Sequence, residues 1–198
     1  MLDFIRIACA VPAVRVGDTA KNAEDICAYI GKADEERADV VLFPELALTG
    51  YSCQDLFFQD TLWTGVQQGI RRIADCTKDH PGVTAAVGLP VRTGMRMYNC
   101  AAVISRGKIH ALVPKTYIPN YNEFYEKRWF SSGAEVTEDM AELLGEPVPI
   151  LPRAVFRVGG TLLGVEICED MWTPLPPSTL LALNGAEVIL NLSASNET

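Results

Sequence analysis

The sequence predicts an α/β chain with two layers of sheet or helix, and three observations carry that expectation. Short apolar runs of strand length stop at Pro or Gly. Two longer stretches repeat apolar residues at helical spacing, and two strand pairs are joined by compact turns that contain Gly.

The elements follow in order. Residues 4–11 (FIRIACAV) read as a buried strand. Gly17-Asp18-Thr19 supplies a helix start, and Ala23, Ile26, Cys27 and Ile30 then share one face of a helix over 19–37. Its polar face ends in Asp34, Glu35, Glu36 and Arg37, a charge run of the kind that faces water. ADVVLFPE (38–45) is a short apolar run, consistent with a strand buried on both faces. A second helix is expected over 59–79, then a strand in VTAAVGLPV (83–91). MYNCAAVISRGKIHALVPK (97–115) reads as two strands joined at Arg106-Gly107. Residues 117–135 are aromatic and loop-like, a short helix is expected at 138–144, and the Pro-rich EPVPILPR (146–153) reads as a link. RAVFRVGGTLLGVEIC (153–168) is a hairpin about Gly159-Gly160 ending on Cys168, followed by a helix over 177–185 and a last strand in AEVILNLSAS (186–195). RADVVLFPE (37–45) and GAEVILNLS (185–193) share a pattern of helix end, Ala, acid, Val and apolar run, which weakly supports two similar αβ halves.

Composition narrows the function. A chain of 198 residues that is 48% hydrophobic fits one globular domain with a sizeable core. A net charge of −8 argues against binding a phosphate backbone and suits small-molecule chemistry. Six cysteines (9, 27, 53, 76, 100 and 168) are scattered without a CxxC pair, which points to free thiols in a reducing compartment. Asp3 precedes the first apolar run and Pro12 stops it, a poor signal peptide, and no apolar stretch is long enough to span a bilayer. The expectation is a soluble, cytoplasmic protein without nucleic-acid or membrane partners.

Three apolar strands each end near a reactive side chain. Glu45 follows VVLFP, Lys115 follows ALVP, and Cys168 closes GVEI. Pro44 and Pro114 lack an N–H, so ladder pairing is expected to stop there and the next side chain to project from the sheet end. Cys168 is a puzzle, because Glu169 and Asp170 follow it and adjacent carboxylates oppose a thiolate. A lysine cation nearby would offset them, and Glu45 would accept the thiol proton. Histidine chemistry is poorly served: His80 lies in a KDHPG turn and His110 at a strand position. No HExxH, paired Cys/His spacing, P-loop or GxGxxG is present, so neither a metal nor a nucleotide site is expected.

FPELALTGY (43–51), VPKTYIPNYNEFYEKRWF (113–130) and GVEICEDMW (164–172) resemble, in order and separation, the Glu, Lys and Cys motifs of the nitrilase, or carbon–nitrogen hydrolase, superfamily. LTGYSCQDLF, CEDMW and NLSASNE resemble the branch that forms the N-terminal glutaminase domains of glutamine-dependent NAD synthetases. The resemblance implies an αββα sandwich in which Cys168 attacks the amide of glutamine and Glu45 acts as base, then as acid. Lys115 and a backbone N–H after Cys168 would stabilise the tetrahedral intermediate, and Glu126 would orient Lys115 or assist proton handling, its alternative being a surface acid paired with Lys127 or Arg128. By motif position Tyr51, Tyr121, Phe124, Glu169, Trp172 and Ser195 would line the glutamine pocket, Glu169 facing the α-ammonium. It also implies that residues 1–198 are one hydrolase domain incomplete at its C-terminus. A synthetase domain holding ATP and magnesium would follow, no cofactor would sit in this chain, and homo-oligomers would form through exposed apolar faces. The alternatives are a free-standing amidase acting on another small amide, or an inactive fragment that only assembles into oligomers.

Overall fold

The computed structural model describes residues 4–195. The chain runs β1 (Ile7–Cys9), α1 (Thr19–Glu35), β2 (Val40–Leu42), α2 (Asp60–Asp79), β3 (Thr84–Thr93), β4 (Arg96–Ser105), β5 (Lys108–Pro114), β6 (Met140–Leu143), β7 (Glu146–Pro149), β8 (Val155–Val158), β9 (Thr161–Ile167), α3 (Pro177–Leu183) and β10 (Val188–Leu192). Strands β1 to β5 lie in sequence order in one sheet, parallel from β1 to β3 and antiparallel from β3 to β5. A second sheet has the order β10-β9-β8, with β9 and β10 parallel.

Two packing interfaces make the layers. Ile26 and Ile30 of α1 and Ile70 and Ile73 of α2 pack on one face of the first sheet, against Val41, Val87 and Leu89. The opposite face presents Val40, Ala86, Ala101, Val103 and Val113 to Leu163, Val165, Ile167, Leu190 and Leu192 of the second sheet. This period-2 division of strand residues between two cores is what a doubly covered sheet requires. On the far side of the second sheet, Leu181 of α3 sits where a Cβ on Gly164 would approach it to 3.0 Å. The order is therefore helix, sheet, sheet, helix, as the resemblance implied.

Local chemistry explains the element ends. The Asp18 carboxylate accepts the Lys21 N–H at 3.0 Å and so caps α1. Arg106 and Gly107 both have positive φ (52° and 79°), the two-residue turn that a right-handed hairpin twist favours.

Not every expectation holds. Residues 138–144 are not helical and 146–149 are more than a link: β6 and β7 form an antiparallel hairpin. Ala141, Leu143, Val148 and Ile150 join the helix-side core, and Leu144 and Gly145 turn the chain with φ of 62° and 76°. The helix-forming letters Met-Ala-Glu-Leu-Leu are overridden by alternating burial, with Met140 and Glu142 outward and Ala141 and Leu143 inward. Nor does pairing stop at Pro114. It keeps register with Cys100, and the Lys115 N–H still donates to the Asn99 carbonyl at 2.8 Å.

Candidate active site

Lys115, Glu45 and Glu126 converge in a closed cluster. All three are 2% exposed or less. Lys115 Nζ donates to Glu45 Oε1 at 2.7 Å and to Glu126 Oε1 and Oε2 at 2.8 and 3.0 Å. Each side chain arrives by a different route. Glu45 follows β2 on a bend in which Leu46 takes a positive φ of 53°, packed against Gly88 of β3. Lys115 continues β5, and Glu126 opens a short 3-10 turn (Glu126–Arg128). That turn is tied to the 3-10 segment Tyr51–Phe58 by Asp55, which accepts Arg128 Nε and Nη2 at 2.6 and 2.7 Å and Trp129 Nε1 at 3.0 Å.

The electrostatics follow from burial and charge count. Burial alone would lower the Lys115 pKa, but the Glu45 and Glu126 carboxylates outweigh it and hold the ammonium above its usual range. Burial and then repulsion from Glu45 raise Glu126, partly offset by Lys115. Tyr51 stays a protonated donor, raised by burial and by Glu126, and its hydroxyl donates to Glu126 Oε1 at 2.7 Å. One ammonium between two carboxylates leaves the cluster net negative, so a further negative charge beside it is disfavoured unless a proton moves onto a carboxylate.

Cys168 is that neighbour. It follows β9 as the first residue of a 3-10 turn (Cys168–Trp172) with φ of 46°, a left-handed conformation that a non-glycine residue adopts at a cost. Its thiol is raised first by burial and then by Glu45, and lowered by the Ser193 hydroxyl and by Lys115. The two acids that follow it are not the handicap the sequence implied. Glu169 accepts the Tyr121 hydroxyl at 2.9 and 2.8 Å. Asp170 turns inward and accepts the backbone N–H groups of Thr116, Tyr117 and Ile167 at 3.0, 2.8 and 3.0 Å. It thereby ties the end of the lysine strand to the nucleophile turn, and burial lifts its carboxyl to about 6.

The remaining expected residues divide. Tyr51, Phe124 and Tyr121 form an edge-on aromatic row, with ring centroids 6.5 and 5.8 Å apart, that leads from Glu126 to Glu169. Ser195 Oγ lies 3.7 Å from Cys168 Sγ. Trp172, in contrast, is 69% exposed, and its side chain makes no hydrogen bond or ring contact among the described residues. Beside the row, Tyr121 and Glu169 border a cavity of about 660 Å³ with Thr116, Asn120, Lys127 and Ser132. His80 pairs with Asp34 and His110 with Ser105, both outside the cluster. Among the described residues no group of three or more His, Cys, Asp or Glu is arranged to hold a metal ion, and no helix is long and apolar enough to cross a membrane.

Sequence reading missed three contributors. Asn99 Nδ2 donates to Glu45 Oε1 at 2.7 Å. Ser193 Oγ donates to Cys168 Sγ at 3.4 Å and lies 2.8 Å from Ser195 Oγ. Asn191 Nδ2 reaches the Cys168 carbonyl at 3.4 Å. The available signal for Asn99 and Asn191 was a lone amide inside an otherwise apolar strand, because a buried amide has to find partners.

An αββα layering that brings Glu45, Lys115 and Cys168 together from three strand ends is the arrangement expected of a carbon–nitrogen hydrolase, and the chain belongs to the carbon-nitrogen hydrolase family, whose model matches residues 6–198. More particularly, it is similar to proteins named glutamine-dependent NAD(+) synthetase. It is 37% identical over 194 residues to that of Mycobacterium leprae (strain TN), covering 97% of this chain and 28% of the relative. It is 40% identical over 196 residues to that of Xylella fastidiosa (strain Temecula1), covering 98% of this chain and 32% of the relative. The chain thus spans under a third of the length of either relative. The glutamine-dependent NAD+ synthetase of Acinetobacter baumannii superposes with a TM-score of 0.81 at 25% identity, over 98% of this chain and 33% of that one. An amidase of the nitrilase superfamily from Nesterenkonia AN1 shares the fold, with a TM-score of 0.78 at 22% identity, over 98% of this chain and 66% of its own.

Proposed function

We propose that this chain is the glutamine-hydrolysing unit of a glutamine-dependent NAD synthetase and works through a Cys168 thioester. The observation that carries the chemistry is the buried Glu45–Lys115–Glu126 cluster beside a thiol held at a strained strand end. Glu45 takes the Sγ proton, and this transfer leaves the net charge of the site unchanged. The thiolate attacks the amide carbon, and the Lys115 ammonium, aided by the Glu169 N–H, stabilises the oxyanion. Glu45 returns the proton to nitrogen as ammonia departs, then activates the water that hydrolyses the thioester. Glu126 keeps Lys115 charged and fixed, and Tyr51 fixes Glu126. The aromatic row and Glu169 supply a pocket wall with one carboxylate, which suits a substrate carrying an α-ammonium.

Glutamine as substrate rests on the identity of 37–40% to the named synthetases. The synthetase domain, with its ATP and magnesium, is the proposed partner that consumes the ammonia, and this chain itself is proposed to need no cofactor. A cytoplasmic location accords with the six cysteines, all of them free thiols. A homo-oligomer accords with the exposed Met171, Trp172, Leu175 and Leu183.

The test is ammonia release from glutamine. Cys168→Ala is expected to abolish it, whereas Cys53→Ala and Cys100→Ala, whose side chains pack in the apolar cores, leave it largely intact. Release from acetamide but not from glutamine would move the chain to the amidase reading.

A further inference from the structure

The two oxygens of Glu45 are treated unequally. Oε1 accepts Asn99 Nδ2 and Lys115 Nζ, each at 2.7 Å. Oε2 is buried and has no hydrogen-bond partner. Asn99 comes from the middle of β4, opposite Pro90, and is fully buried. Its backbone carbonyl accepts the Lys115 N–H at 2.8 Å. One residue thus holds the base through its side chain and the lysine through its backbone. An ionised carboxylate only accepts, so the amide has to present its NH2 to Glu45. That choice leaves Asn99 Oδ1 buried without a partner. A leucine has the same branched shape with no unmatched group of its own, so packing alone does not call for an amide here.

We propose that Asn99 is a positioning residue: by occupying Oε1 it fixes the plane of the Glu45 carboxylate, so that Oε2 alone exchanges the proton with Cys168 and the leaving nitrogen. The inference rests on the thioester mechanism above. In the forward step the Sγ–H bond breaks, an Oε2–H bond forms, and the electron pair left on Sγ attacks the amide carbon. As the C–N bond breaks, the same proton leaves Oε2 for the nitrogen. The charged or titratable groups that act on this site are Lys115, Glu126, Tyr51 and Cys168.

Two variants test it. Asn99→Leu keeps the branched shape and removes the donor, and Asn99→Asp keeps both shape and size but replaces the NH2 with a second acceptor. The readouts are kcat and KM for ammonia release from glutamine, and the pH dependence of Cys168 alkylation by iodoacetamide followed by peptide mapping, which needs no turnover. Loss of the donor leaves the ionised Glu45 carboxylate with one hydrogen bond fewer on Oε1, and Asp sets a second acceptor against it. The acidic limb of both pH profiles is therefore expected to move to higher pH, further in Asn99→Asp. In Asn99→Leu, kcat is expected to fall about tenfold or more, with KM within about twofold because Asn99 lies behind Glu45. Unmoved acidic limbs in both variants, whatever happens to kcat, would reduce Asn99 to packing and overturn the proposal. A wild type that shows the alkylation limb but leaves glutamine intact would refute the glutamine reading instead, with the Asn99 relation still judged on the limb.

Discussion

Gly88→Ala changes one hydrogen into a methyl group, yet it bears directly on the catalytic base. A Cβ at Gly88 would lie 2.3 Å from Leu46 N, 2.5 Å from Pro44 O and 2.8 Å from the Glu45 carbonyl carbon, whereas ordinary contact begins near 3.4 Å. All three atoms are backbone, so no side chain can rotate out of the way. Leu46 is already in a left-handed conformation, and Leu48 N–H is bonded to the Gly88 carbonyl at 3.0 Å. The segment carrying Glu45 has to retreat by roughly 1 Å, a misplacement that costs a catalytic group about a hundredfold in rate. Overpacking of this kind costs about 1–3 kcal/mol in stability, which for a chain of this size lowers Tm by roughly 2–4 °C for each kcal/mol. The assay is ammonia release together with a thermal melt, and Gly82→Ala is the control, since its Cβ would meet nothing closer than Asp34 Oδ1 at 3.7 Å. A Gly88→Ala variant with wild-type kcat would refute the claim that this close approach sets the position of the base.

Other outcomes follow from the same geometry. Lys115→Met leaves Glu45 and Glu126 facing each other without a cation, and breaking such a buried pair costs about 3–5 kcal/mol. Adding Glu126→Gln to it should restore part of the Tm while activity stays absent, and strict additivity of the two changes would contradict the picture of one shared charge cluster. Asp170 gives a pH signature. Its carboxyl is raised from 3.8 to about 6 by burial, so the folded state binds its proton more tightly than the unfolded chain. The associated stabilisation is complete below pH 3.8 and is lost as pH rises through about 6, with a span on the order of 3 kcal/mol. Denaturant titrations of wild type and Asp170→Asn between about pH 4 and 6.5 should therefore diverge, the wild type losing ground as pH rises. Parallel curves would show that Asp170 titrates normally.

Much of the site is legible because its three reactive side chains sit where apolar strands end, and strand ends are easy to find. Glu45 and Lys115 follow Pro, and Cys168 closes a hairpin whose Gly turn marks its register. The layering is legible for the same reason: runs such as VTAAVGLPV carry no polar face, so both sides have to be covered. Asn99 is hidden because one amide in MYNCAAVIS reads as a tolerated exception until the side chain opposite it is known. Asp170 is hidden because adjacency in sequence is not adjacency in space. A 3-10 turn swings it onto three backbone N–H groups, away from the thiol. The β6–β7 hairpin is masked because helix propensity in Met-Ala-Glu-Leu-Leu outweighs a short period-2 pattern, which only tertiary burial decides.

The most direct measurement is intact-mass analysis after exposure to a glutamine-mimicking diazoketone, followed by peptide mapping. The cysteines form an internal control, since Cys9 is exposed and Cys53 and Cys100 are buried. A single adduct on Cys168 that excess glutamine prevents is the predicted result, and it would establish nucleophile and substrate class together. An adduct on Cys9, or on several thiols, that glutamine does not suppress would contradict the assignment of Cys168 as the nucleophile of a glutamine site.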